Sequence, residues 1–158
     1  MDWAGWALFG LIATTVLTGL MICAQLGGLS RLDLPLILGT VVTPDPDRAR
    51  VAGFVFHLVV GQGFAAGYAA CFAVLGQATW WVGASFGALH GAVALMVLVP
   101  LLVGVHPRMA SNRAGLESTA VLEPPGLLGL NYGAQTPLVT FIAHVAYGTA
   151  LGMLLSVH

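Results

Sequence analysis

Lysine is absent from this 158-residue chain, and its five cations are all arginine: Arg31, Arg48, Arg50, Arg108 and Arg113. That excludes chemistry built on a lysine Schiff base, such as that of retinal or pyridoxal phosphate. Charge of either sign is scarce: 7% of residues, where soluble domains carry about 25%. A water-facing globular surface cannot be assembled from that supply. The net charge of −1 leaves no basic patch to meet a phosphate backbone, so nucleic acid is excluded as a partner. There are only two cysteines, Cys23 and Cys71, and no Cys-x-x-Cys. A phosphate-binding glycine loop with its lysine and a Ser-His-Asp set are also missing. Enzymatic chemistry has little to work with.

Apolar residues fill the space: 58% of the chain. Residues 3–30, 51–107 and 124–158 contain no Asp, Glu, Lys or Arg. A bilayer core about 30 Å thick takes roughly 20 apolar residues in a helix. The first and third runs therefore hold one span each, at about 3–28 and 137–157. The middle run holds two, at about 51–75 and 80–105, divided by the turn Gly76-Gln77-Ala78-Thr79. The expected fold is all-α, a single domain of four transmembrane helices.

Helix ends carry their own signals. Asp45-Pro46 supplies an N-cap acceptor followed by proline at the first helical position, and Thr136-Pro137 repeats the arrangement. Pro100 should kink the third span or loosen its last turn. Met1-Asp2-Trp3 lacks the basic region of a secretory signal, so the first span is expected to be retained. All five arginines fall in two loops, about 30–50 and 106–136, while Trp3, Trp6, Trp80 and Trp81 sit at the opposite helix ends. The positive-inside rule and an outer aromatic belt both predict cytoplasmic loops with N-out/C-out termini. In the first loop, Asp33 and Pro35 start an apolar stretch too short to span, which predicts a short interfacial helix. In the second, Gly126 to Gly133 is expected to dip back toward the headgroups.

Helices in lipid associate through close backbone approach and hydrogen bonds, because apolar surface gives them no net drive. Small residues recur at the required spacing. Gly83, Gly87 and Gly91 lie on one line of the third span, and Gly148 and Gly152 continue a line from Thr140 and His144 in the fourth. The second span has two lines, Gly53-His57-Gly61-Ala65 and Gly63-Gly67-Cys71; the first has Gly10-Thr14-Thr18. His57-x-x-x-Gly61 matches His144-x-x-x-Gly148, each after a proline-bearing start and a Leu-Gly loop, which suggests a repeat of two helical hairpins.

The titratable groups well inside the membrane, tyrosine and cysteine aside, are His57, His90 and His144. At a rise of about 1.5 Å per residue, His57 and His144 lie roughly 9 and 10 Å in from the cytoplasmic ends of their helices. By the same measure His90 stands about 15 Å from His57 along the axis. One metal ion cannot reach all three. The level pair His57 and His144 suits axial ligation of haem b, with Gly61 and Gly148 offering faces free of side chains. Alternatively each imidazole is neutral and hydrogen-bonded to a neighbour, with Tyr68, Tyr147, Thr140 and Gln62 as candidates. His106 and His158 are expected to be solvated. A Cys23–Cys71 disulfide is not expected, because the two differ in depth.

The order Asp33-Leu34-Pro35-x-x-Leu38-Gly39-Thr40, then Gly53-x-x-x-His57-x-x-x-Gly61-x-x-Phe64-x-x-x-Tyr68-Ala69, then Trp81-x-Gly83-x-x-x-Gly87-x-x-His90 and Pro100, resembles an uncharacterised family of small bacterial four-helix inner-membrane proteins. The resemblance covers mainly residues 33–100. It implies a bacterial inner-membrane location and no particular activity. Three functions stay open from the residues. The first is a non-catalytic accessory subunit, packing against partner subunits or its own copies within the lipid bilayer. The second is a haem- or metal-binding electron-transfer protein using His57 and His144. The third is a channel or transporter for an uncharged or lipidic substrate.

Overall fold

A computed structural model describes residues 3–110 and 122–155. Arg113 and His158 lie outside the described residues, as does the middle of the second loop. The elements are α1 (Trp3–Leu26), α2 (Leu34–Gly39), α3 (Pro46–Leu75), α4 (Trp80–Val93), α5 (Val99–Val105) and α6 (Thr136–Leu154). A π turn, Ala94–Leu98, joins α4 to α5, and a 3₁₀ segment, Leu127–Tyr132, precedes α6. No strand occurs among the described residues. Four helices are long and apolar enough to cross a membrane: Gly5–Leu26, Pro46–Leu75, Trp80–Val105 and Thr136–Leu154.

The anticipated ends of α3 are present. The Asp45 carboxylate accepts from the Arg48 N–H at 2.9 Å, with proline in the first turn. Gly76 closes the helix in the left-handed region at φ 66°, which only glycine adopts at little cost. The fourth span differs. Thr136 is its first residue rather than its cap, and the Thr136 hydroxyl pairs with Ser30 Oγ at 2.8 Å. Pro100 acts one turn earlier than expected. It has no N–H for the carbonyl four residues back, and its ring crowds that carbonyl. The rod relaxes into a wider turn just before it.

Around the bundle the order is α4, α6, α1, α3. Extensive contact runs between α4 and α6, with further packing of α1 on α6 and on α3, whereas α3 and α4 are separated. Aromatic rings bridge that gap. Tyr68 and Phe72 each meet Phe86 at 5.9 Å, and Tyr68 also meets Tyr147 of α6 at 5.5 Å, all between ring centroids.

Glycine decides the close approaches. A methyl on Gly83 would overlap the Gly148 carbonyl, one on Gly148 the Gly83 carbonyl, and one on Gly152 the Thr79 carbonyl. On Gly87 a Cβ would lie 2.5 Å from the His144 carbonyl oxygen, and on Gly91 3.1 Å from the His144 Cβ. Gly61 is filled by Thr14, and Gly53 by the Pro35 carbonyl. Gly63 and Gly67 are different: nothing lies within 4 Å of a Cβ there. Of the two glycine lines on α3, only the one carrying His57 packs inside this chain. Gly10 against Ala65, and Gly39 against Ala49, are close approaches of the same kind.

The two hairpins share a register. Gly10, Thr14 and Thr18 of α1 meet Ala65, Gly61 and His57 of α3. Thr79, Gly83 and Gly87 meet Gly152, Gly148 and His144 in the same antiparallel steps of four. His57 and His144 thus stand on corresponding rungs.

The two arginine-bearing loops meet at one end of the bundle. Arg31 pairs with Glu123 at 3.3 Å, and its N–H donates to the Tyr132 carbonyl at 2.6 Å. Asp33 caps α2, accepting from the Leu36 N–H at 3.0 Å, and pairs with Arg50 at 2.8 Å. Helix α2 does not stand alone: Pro35, Ile37 and Gly39 are buried, two of them against α3. His106, expected to be solvated, is instead buried at 7% exposure. Its Nε2–H donates to the Ile37 carbonyl at 2.9 Å, and its Nδ1 accepts from the Arg108 N–H at 3.1 Å. Arg108 donates to the Thr40 and Val41 carbonyls, capping the exit of α2. The sequence placed His106 in a loop, and no local signal marked that α2 would offer it an acceptor. In the 3₁₀ segment Gly129 and Tyr132 are buried while Leu127 and Leu130 point outward.

Candidate functional site

Between the helices lies a cavity of about 160 Å³. Its wall is apolar except for six side chains: Thr14, His57, His90, Thr140, His144 and Tyr147. No charged residue lines it. Ile37 and Leu38 of α2 contribute to the lining, as do Ala94 and Leu98 of the π turn. Two lining residues, Phe64 on α3 and Leu98, are also exposed on the outside of the bundle. The cavity is partly open rather than enclosed.

The three histidines reach this space from three helices, and each has a partner. Thr18 spends its hydroxyl hydrogen on the Thr14 carbonyl at 2.8 Å, so at 2.9 Å it can only accept from His57 Nδ1. His144 Nδ1 lies 2.7 Å from the Thr140 carbonyl, an acceptor only, and therefore carries its proton. His90 Nδ1 lies 3.4 Å from the Tyr68 hydroxyl. Of the partners anticipated from the sequence, Tyr68 is used by its side chain and Thr140 by its carbonyl. Tyr147 turns its hydroxyl to the Gly61 carbonyl at 2.7 Å, and Gln62 donates to the Ala7 carbonyl at 3.1 Å.

Depth along an axis did not capture which rings meet. The His90 ring lies 4.1 Å from Phe64, which is seven residues beyond His57, a separation of roughly 10 Å along α3. Yet His90 also meets the His144 ring edge-on at 4.7 Å. A large ring reaches several ångströms from its own backbone level, so His144 touches the histidine that axial spacing had set apart. The glycines Gly87 and Gly91 allow it, by seating the His144 backbone directly on α4.

Haem does not fit this arrangement. The faces at Gly61 and Gly148 that a macrocycle would need are filled by Thr14 and Gly83. The cavity has the volume of a site for one benzene-sized guest. A tetrapyrrole would require the helices to part. Among the described residues no group of three His, Cys, Asp or Glu is arranged to hold a metal ion.

The Thr140 hydroxyl is buried and makes no hydrogen bond. Thr14, Thr15, Thr18 and Thr149 each donate to the carbonyl four residues back, at 2.8 Å. Thr140 departs from that habit, and a buried hydroxyl left unpaired costs on the order of 1–3 kcal/mol. Comparison with protein-family models, with curated proteins and with solved structures finds no match.

Proposed function

We propose that this chain is a small multi-pass membrane protein that takes up a small uncharged molecule from the bilayer into its histidine-lined cavity. The observation that carries this is the cavity itself: a partly open space between the helices, walled mostly by apolar side chains with six neutral polar ones among them. Of the functions open from the sequence, a carrier or transporter of an uncharged substrate fits it best. Such a guest needs no ion partner, and none lines the space. The direct test is benzene added to the purified protein in detergent. Thermal stability should rise with benzene concentration, as it does when a ligand binds only the folded state. Ala94→Phe, which fills the cavity from the π turn, should abolish the rise. No shift in the parent protein would refute the proposal.

The accompanying orientation is N-out/C-out, with the arginine end in the cytoplasm of a bacterial inner membrane. It is supported by Arg31, Arg48, Arg50 and Arg108 gathering at one end while Trp80 and Trp81 are exposed at the other. In a Cys23→Ala, Cys71→Ala background, a membrane-impermeant maleimide on intact cells should label Gln77→Cys and spare Thr43→Cys. The opposite pattern would invert the topology.

A second reading, the accessory subunit, is favoured by the outer face of α3. Gly63 and Gly67 lie open there, and Cys71 on the same line is exposed. That face suits a partner helix or a second copy. Mild oxidation of native membranes should then cross-link Cys71 to a second protein, and a chain that stays monomeric and unlinked would set this reading aside.

A further inference from the structure

The hydrogen-bonding state of the wall points to the chemistry of the guest, on the reading that the cavity is a binding site. Both His57 and His144 commit Nδ1–H to partners within the protein, Thr18 Oγ1 and the Thr140 carbonyl. In the neutral ring the second nitrogen, Nε2, is then a lone-pair acceptor. Among the described residues nothing donates to either Nε2. His144 is 8% exposed and Thr140 3%, while His57 is half-buried. A cavity whose lining offers acceptors without protein donors selects a guest able to donate.

Charge narrows the class. Two lone pairs repel an anion, and no carboxylate lines the cavity to receive a cation. Shape narrows it further. The volume, about 160 Å³, is that of a single ring. Aromatic neighbours already stand in contact there, Phe64 with His90 at 4.1 Å and His90 with His144 at 4.7 Å. Tilted and edge-on ring contacts of this kind favour an aromatic guest over an aliphatic one of equal size.

We infer that the cavity binds a neutral phenol-type molecule, a single aromatic ring whose hydroxyl donates to the Nε2 of His57 or His144. The Thr140 hydroxyl, free of the usual bond to its own helix, is placed to donate to the oxygen of the same group. The guest arrives uncharged from the bilayer, past Phe64 and Leu98.

Phenol, benzene and benzoate serve as probes of the full-length protein in detergent, with ¹⁵N-labelled histidine. Phenol should bind about tenfold more tightly than benzene, the ratio expected of one well-made buried hydrogen bond. Its binding should move the pyridine-type nitrogen signals of His57 and His144, and benzoate should not bind. His144→Phe and His57→Phe each keep a ring and remove one acceptor; one of the two should reduce phenol to the affinity of benzene, and a tenfold preference retained in both would overturn the inference. Equal affinity for phenol and benzene with unmoved histidine nitrogens would overturn this inference while leaving a cavity that binds guests. Binding of benzoate would overturn the claim of neutrality. Failure of all three probes to bind would overturn both this inference and the function proposed above.

Discussion

Gly87 and Gly67 are both helical glycines in membrane-spanning segments, and replacing each with alanine separates packing from helix propensity. A Cβ on Gly87 would sit 2.5 Å from the His144 carbonyl oxygen and 2.8 Å from the Val145 Cα. Ordinary contact begins near 3.4 Å, and the obstructing atoms are backbone, which cannot rotate away. Helices α4 and α6 must therefore part by nearly 1 Å at their closest point. Overpacking of this kind costs about 1–3 kcal/mol, and alanine returns up to roughly 1 kcal/mol through helix propensity. The net expectation for Gly87→Ala is a loss of about 1–2 kcal/mol. Gly67→Ala meets nothing within 4 Å, so it should be neutral or more stable by up to about 1 kcal/mol. Reversible unfolding in mixed detergent micelles, followed by circular dichroism, measures both. If Gly87→Ala unfolds at the same point as Gly67→Ala, the tight α4–α6 seam does not exist as described. Because His144 rides on that seam, the ¹⁵N signals of His90 and His144 should shift in Gly87→Ala and stay in place in Gly67→Ala.

His106→Ala removes a donor from the Ile37 carbonyl and an acceptor from the Arg108 N–H. It should destabilise the docking of α2 by about 1–3 kcal/mol, read as faster hydrogen exchange across residues 34–40 with the membrane helices unchanged. Asp45→Ala deletes the side-chain cap of α3 and should cost about 1 kcal/mol, whereas Asp45→Ser should recover most of it. Burial and the nearby Glu123 push the Tyr132 hydroxyl up to about 12, and it donates to the Glu123 carbonyl. Its folded value exceeds the unfolded value near 10. The stabilisation is therefore complete below pH 10 and lost as pH rises through 12. Tyrosinate absorbance in the parent protein, compared with Tyr132→Phe, should show a late-titrating group whose ionisation loosens the Leu127–Tyr132 segment. Ionisation near pH 10 would mean that this loop is open to water.

Composition and charge placement alone determined the four helices, because so few charges leave long apolar runs, and the charges fall in the connections or in the first turns of α3. Caps at Asp33 and Asp45, the glycine at Gly76 and the disturbance near Pro100 were legible for the same reason: each is set by atoms within one helical turn. The glycine lines were legible as lines but not as contacts. Gly61 and Gly67 look alike along α3, and only the position of α1 makes one a seam and leaves the other bare. The site was decided later still. His57, His90 and His144 could be named as the membrane histidines, yet their meeting in one cavity depends on α4 and α6 closing on glycine while α3 stands off. Axial spacing constrains where a backbone lies, not how far a ring reaches or which carbonyl takes its proton. His106 shows the same limit: its acceptor belongs to a helix nearly seventy residues earlier. Local chemistry writes elements into a sequence, whereas the partners of a buried polar atom exist only once distant segments have come together.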